Sequence, residues 1–213
     1  MLRLVHLILS PASRLVRLAL GEKRLSFELV ASEDPLAHLP SLIDIDDEVT
    51  GLWAIVDYLE SEHPEPALVP PDAGERSEAL RLLDWTMTQF HEVATKRIVF
   101  EKASQAHTGN LIRRPPNMDI VRSGREALRT SLQRLGPVAE SRGFLAGRDI
   151  SLADLALAAH LSALDYYGEI PWNDFPSLQE WYVRIKSRPS FRPLLADRVP
   201  GQPPVPHYAE LDF

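Results

Sequence analysis

The stretch Ile150-Ser151-Leu152-Ala153-Asp154-Leu155 carries the clearest local signal in the chain. Ser151 is placed to cap a helix, and Asp154, three residues on, to take a bond from the Ser151 amide. This is a capping box with Asp where Glu is usual. Ile150 and Leu155 hold the hydrophobic-staple positions on either side. The helix so opened runs through Leu164 and is apolar nearly all round, apart from Asp154, His160 and Ser162. Such a helix belongs in the middle of a domain. His160 is therefore expected as a hydrogen-bonded core histidine and not as a ligand.

Working outward, the second half of the chain is helical in pattern. A long helix is expected from about Glu75 to Gln105, with Leu80, Leu83, Met87, Phe90 and Val93 on its apolar side. Arg113-Arg114-Pro115-Pro116 breaks it, and a second long helix follows to about Ser141. The segment His63 to Ala73 holds four prolines, which remove donors and fix φ, so it reads as a linker. Ahead of it the periodicity shortens. Leu2 to Ile8 reads as a buried strand, Ala12 to Lys23 as an amphipathic helix with Leu15, Val16, Ala19 and Leu20 on one face and Arg14, Arg17 and Lys23 off it, and Ser26 to Val30 as a second strand. Pro40 to Asp44 forms a third, the acidic run Asp44 to Glu48 a solvated hairpin turn, and Leu52 to Leu59 a helix. Trp53, Ile55, Val56 and Leu59 are available for its packing. The division expected is 1–62, a linker at 63–73, a helical domain at 74–197 and an extended proline-rich tail at 198–213: an α+β, two-domain protein.

Composition narrows the function. The 213 residues carry a formal charge of −7, which argues against a general nucleic-acid binder. The chain has no cysteine, so disulfides, zinc–thiolate sites, iron–sulfur clusters and thiol nucleophiles are excluded. No run approaches the roughly 18 apolar residues that span a bilayer, and the first residues read as a buried strand and not a signal peptide. No metal site is expected. The acidic run lacks a calcium-loop pattern, and the seven histidines lack ligand spacing. A glycine-rich phosphate loop is also absent.

The order of elements, with Ser10-Pro11-Ala12-Ser13-Arg14-Leu15-Val16-Arg17 at the first strand–helix junction, Leu39-Pro40-Ser41-Leu42 before the third strand and the Ser151–Asp154 box, resembles the glutathione S-transferase superfamily. The resemblance implies a thioredoxin-like N-terminal domain followed by an all-helical domain. It implies that Pro40 is cis, and that the Leu39 backbone pairs with the cysteinyl part of glutathione. A hydroxyl at the N-terminus of the first helix would stabilise the glutathione thiolate, and Ser10 or Ser13 could take that place. Both serines read equally well as N-cap or turn residues.

Two departures weaken the catalytic expectation. The family usually sets an acidic residue and then Ser or Thr before the last helix of the first domain, to hold the γ-glutamyl end. Here Gly51-Leu52 stands there, with Thr50 as a shifted substitute, and neither Gly nor Leu offers a polar side chain. Between Val30 and the third strand, the nine residues Ala31 to Leu39 are too few for the helix and loops the family places there. Either that helix is lost or a segment is missing from the sequence.

Trp181 to Leu195 and the tail Pro206-His207-Tyr208-Ala209-Glu210-Leu211-Asp212-Phe213 look like those of a bacterial cell-division branch of the superfamily. That resemblance implies a cytoplasmic homodimer at the division site that binds FtsZ, favours curved filaments and promotes constriction, with other division proteins as further partners. It implies no cofactor; glutathione would enter only if the chain were an active transferase. Physically, Pro200, Pro203, Pro204 and Pro206 keep the tail extended and lower the entropy lost on binding. Tyr208, Leu211 and Phe213 would be apolar anchors, with Glu210 and Asp212 adding charge. A strap folded back on its own domain reads equally well. Arg122, Arg125 and Arg129 share one helical face, either solvated or open to an acidic partner.

Overall fold

A computed structural model describes residues 1–32, 38–45, 47–103, 105–108 and 114–211. The first domain is a mixed four-stranded sheet in the order β2-β1-β3-β4. Strand β1 (Leu2–His6) pairs in parallel with β2 (Phe27–Ala31) through the crossover helix α1 (Pro11–Glu22), and antiparallel with β3 (Ser41–Asp44). Strand β4 (Asp47–Thr50) closes the hairpin, with Asp44 opposite Asp47, and helix α2 (Leu52–Glu62) follows. Asp44, Asp47 and Glu48 of the acidic run thus lie in a hairpin, with Ile45 at a positive φ of 52°, while Asp46 lies outside the described residues. No helix lies among the described residues between β2 and β3, which are Ser32 and 38–40; the rest of that interval, 33–37, lies outside the described residues. Of the side chains expected to pack on α2, Ile55 and Leu59 are fully buried, but Trp53 stays 50% exposed.

The helical domain begins with α3 (Ala73–Trp85), capped by Asp72, whose carboxylate accepts the Gly74 and Glu75 amides at 2.9 Å each. The expected single long helix is continuous in direction but not in winding. Thr86–Thr95 is π-helical, and α-geometry resumes in α4 (Lys96–Lys102). Wider turns of this kind mark local demands on the ladder. Here they bring Thr95 and Phe90 to the central helix, with Thr95 Oγ1 2.7 Å from His160 Nδ1 and the Phe90 ring edge-on to the imidazole at 5.5 Å. Leu80, expected in the core, is 46% exposed on α3. A short α5 (Gln105–Thr108) precedes α6 (Met118–Ser141), and Arg113 lies outside the described residues.

Helix α7 (Leu152–Tyr166) is buried along its whole length. The Ser151–Asp154 box forms as expected: the Ser151 amide and hydroxyl donate to Asp154 Oδ2 at 3.0 and 2.9 Å. The other carboxylate oxygen accepts from the Leu145 amide at 2.8 Å and Trp181 Nε1 at 3.1 Å. One aspartate therefore ties α7 to the loop before it and to α8 (Pro176–Lys186). Helix α1 packs against both α7 of the helical domain and α2 of its own domain. This is why Leu15, Val16, Leu18, Ala19 and Leu20 are all buried. A last short helix, α9 (Arg192–Leu195), leads into the tail.

Candidate functional site

The sheet register puts Val5, near the end of β1, opposite Ser41, the first residue of β3. The β1–α1 junction and the Leu39-Pro40 peptide are thereby brought to the same end of the sheet, and that peptide is cis. The Pro40 carbonyl accepts the Gly51 amide at 2.9 Å, so Leu39, Pro40, Thr50, Gly51 and Leu52 form one corner. Gly51 has φ +92°, a conformation side chains resist, and a Cβ there would lie 2.8 Å from His38 Nε2. The corner is thus built for glycine, and it presents no acid or hydroxyl at the two positions after Thr50. The Thr50 hydroxyl itself faces Ser41 Oγ at 3.5 Å.

The two serines differ. Ser13 is fully buried, and its hydroxyl accepts the Leu7 amide at 3.1 Å. It is a turn-closing residue. Ser10 is the N-cap of α1, and its hydroxyl makes no capping bond. The neighbouring Leu9 amide is already bonded to the His107 carbonyl of α5 at 2.9 Å. Among the described residues near that helix end, Ser10 alone offers an uncommitted side-chain hydroxyl.

Sequence periodicity set Arg14 and Arg17 off the apolar face of α1, yet both are buried. Arg17 grips Asp197 through Nη1 and Nη2 at 2.8 and 2.9 Å. Arg14 bonds Asp197 at 3.2 Å, Ser162 Oγ at 2.7 Å, the Ile8 carbonyl at 2.9 Å and Tyr208 Oη at 3.0 Å. The combination is needed, because an unpaired buried guanidinium is costly. Beside it, burial together with the Arg17 charge pushes His6 down to about 4.

The tail is therefore a strap. Tyr208 is fully buried, donates to the Leu194 carbonyl at 2.9 Å and packs edge-on to Tyr166 at 5.1 Å. Of the two readings open for Tyr208, this is the strap: the aromatic ring completes the core of its own chain. Upstream, Val205 donates to the Tyr166 carbonyl at 3.1 Å, and Tyr166 Oη donates to the Gln202 carbonyl at 2.8 Å. His207 meets the buried Asp165 at 3.2 Å. Glu210 and Leu211 remain exposed, Leu211 at 42%. Asp212 and Phe213 lie outside the described residues.

The arginine face of α6 is exposed, and each of its three arginines meets a carboxylate. Arg122 pairs with Asp119 at 2.9 Å and Arg129 with Asp174 at 2.6 Å. Arg125 forks onto Glu169 at 2.6 and 2.9 Å. Lys102 also bonds that carboxylate. Burial alone would raise Glu169, but the bonds from Arg125 and Lys102 hold it below the usual carboxylate range. Among the described residues no group of three or more His, Cys, Asp or Glu could hold a metal, and no helix is long and apolar enough to cross a membrane.

The chain belongs to the glutathione S-transferase family. The family models for the glutathione S-transferase N-terminal and C-terminal domains match residues 4–67 and 102–189. It is 42% identical to FtsZ-localized protein A of Caulobacter vibrioides over 98% of this chain and 96% of that protein. The solved structure of FzlA from C. crescentus superposes with a TM-score of 0.92 at 41% identity, covering 100% of this chain and 99% of the other. A glutathione S-transferase from Rhodospirillum rubrum F11 superposes with a TM-score of 0.93 at 39% identity over 100% of both chains.

Proposed function

We propose that this protein is a non-catalytic transferase-like regulator that binds FtsZ filaments and promotes their curvature and constriction, acting as a cytoplasmic homodimer at the division site. The observation that carries this reading is the whole-length likeness to FtsZ-localized protein A. The corner at Gly51-Leu52 supports it, because a γ-glutamyl group there would forgo charge-assisted side-chain bonds of about 1.5–3 kcal/mol each. Co-sedimentation with polymerised FtsZ tests it. The intact protein is expected in the pellet with filaments and in the supernatant without them; absence from the filament pellet refutes the reading.

A second reading, transferase chemistry on small electrophiles, is favoured by the uncommitted Ser10 hydroxyl at the α1 N-cap beside the cis Leu39-Pro40 peptide. Calorimetric titration with glutathione separates the two. Millimolar affinity or none leaves the binding reading; a tight, Ser10-dependent isotherm supports catalysis.

A further inference from the structure

At the far end of α1 from Ser10, a cavity of about 530 Å³ opens between the two domains. The 12 residues of α1 separate it from the β1–α1 junction by roughly 18 Å, so it is a different place from the cis-proline corner. Its volume falls within the roughly 300–1,000 Å³ of small-molecule sites. Leu68, Phe144 and Ile150 supply apolar surface, and Pro70 and Pro189 make stiff walls.

The charged groups divide into a satisfied side and an unsatisfied one. Glu22 receives Arg188 in two bonds of 2.7 Å and Ser190 at 2.5 Å, with the Arg24 charge close by. Burial alone would raise Glu22, and these partners hold it below the usual range. The cavity is also lined by Glu75 and Asp149, whose carboxylates have no hydrogen-bond or ion-pair partner among the described residues. Glu75 is half-buried and occupies the third position of α3, at the helix end that attracts negative charge. Its side chain lies directly over Gly147, where any Cβ would overlap the carboxylate. It also borders a second cavity of about 610 Å³. A half-buried carboxylate without an ion-pair partner among the described residues, lining the same cavity as the Phe144 ring, suits a cationic group.

We propose that this cavity binds a small organic ammonium compound, with its cationic head between Glu75 and Asp149 and its apolar body against Phe144, Ile150 and Leu68. The lining has one carboxylate in excess over its guanidinium groups, and the chain's net charge of −7 acts in the same direction.

Calorimetry on the full chain tests this with two probes of like shape and opposite charge, 1-naphthylmethylammonium and 1-naphthaleneacetate. The cation is expected to bind at least tenfold more tightly than the anion. Glu75→Gln should weaken the cation by about tenfold, the loss of one charge-assisted bond, and Asp149→Asn by several-fold. Arg24→Gln should leave cation binding equal or stronger, and Phe144→Leu should weaken it without changing the preference for positive charge. Circular-dichroism melts confirm that each variant is folded. Equal binding of the two probes, no cation binding at millimolar concentration, or unchanged cation affinity in the folded Glu75→Gln/Asp149→Asn double variant overturns the proposal.

Discussion

Arg14 and Asp197 stand 183 positions apart in the sequence and meet in the interior at 3.2 Å, their side chains 0% and 9% exposed. With Arg17 on the same carboxylate, two buried guanidinium groups share one counter-charge. Asp197→Ala would leave both buried without it. Breaking a buried pair in this way costs about 3–5 kcal/mol, which should lower the melting temperature by roughly 10 °C in a chain of this size. Urea unfolding of the variant checks the figure.

The Asp154 carboxylate is also shared, serving two donors in its capping box and two outside it. Asp154→Ala removes the cap and leaves the Leu145 amide and the Trp181 indole unpaired in the core. The expected loss is about 3 kcal/mol, because each orphaned donor adds a desolvation cost to that of the cap. Asp154→Asn should recover part of it, and chemical denaturation of the two variants side by side gives the comparison.

The tail offers a sharper dissection. Ending the chain after Ala209 removes only exposed or undescribed residues, and the melting temperature should stay within about 2 °C of the full-length value. Ending it after His207 removes the Tyr208 ring from the core, at about 3–5 kcal/mol. If the exposed end contacts FtsZ, the longer truncation product should remain folded yet leave the filament pellet. Its retention there would locate the contact elsewhere.

Buried histidines set the response to acid. His6 is held down to about 4, and burial drives His91 down as well. Burial, followed by the neighbouring His91, lowers His160 further. Each group binds a proton more readily in the unfolded chain, so stability is present above about pH 6.5 and is lost as pH falls toward the folded-state values. For each histidine that titrates only on unfolding, the slope approaches 1.4 kcal/mol per pH unit. Asp154 and Asp165, both raised by burial, act the opposite way at lower pH, where protonating them favours the fold. Unfolding free energies measured from pH 7.5 to pH 5 should fall steadily. His6→Gln should flatten the curve.

The sequence made legible what depends on local chemistry. The capping box needs only residues 151 to 154, and the cis proline was implied by the Leu39-Pro40-Ser41-Leu42 motif in its family context. The glycine at position 51 announced the missing polar handles for the same reason. Contacts between distant segments stayed hidden. Periodicity identified Arg14 and Arg17 as polar but could not show that residues beyond 190 return to cover them. The same limit misplaced Trp53 and Leu80, since apolar spacing names a face without naming its cover. Tyr208 was ambiguous because an aromatic ring serves a strap and an anchor equally well. The π-helical turns from Thr86 have no spacing signature separate from an ordinary helix. The pairing of Arg122, Arg125 and Arg129 required the positions of Asp119, Asp174 and Glu169, two of them on a different part of the chain.

The strap also sets a clock on synthesis. The arginines of helix α1 find their carboxylate only after the 183 positions from Arg14 to Asp197 have been added. At about 5–20 residues per second, that is a wait of roughly 10–40 seconds. Through that interval the nascent first domain carries two unmatched positive charges where its partner domain will sit.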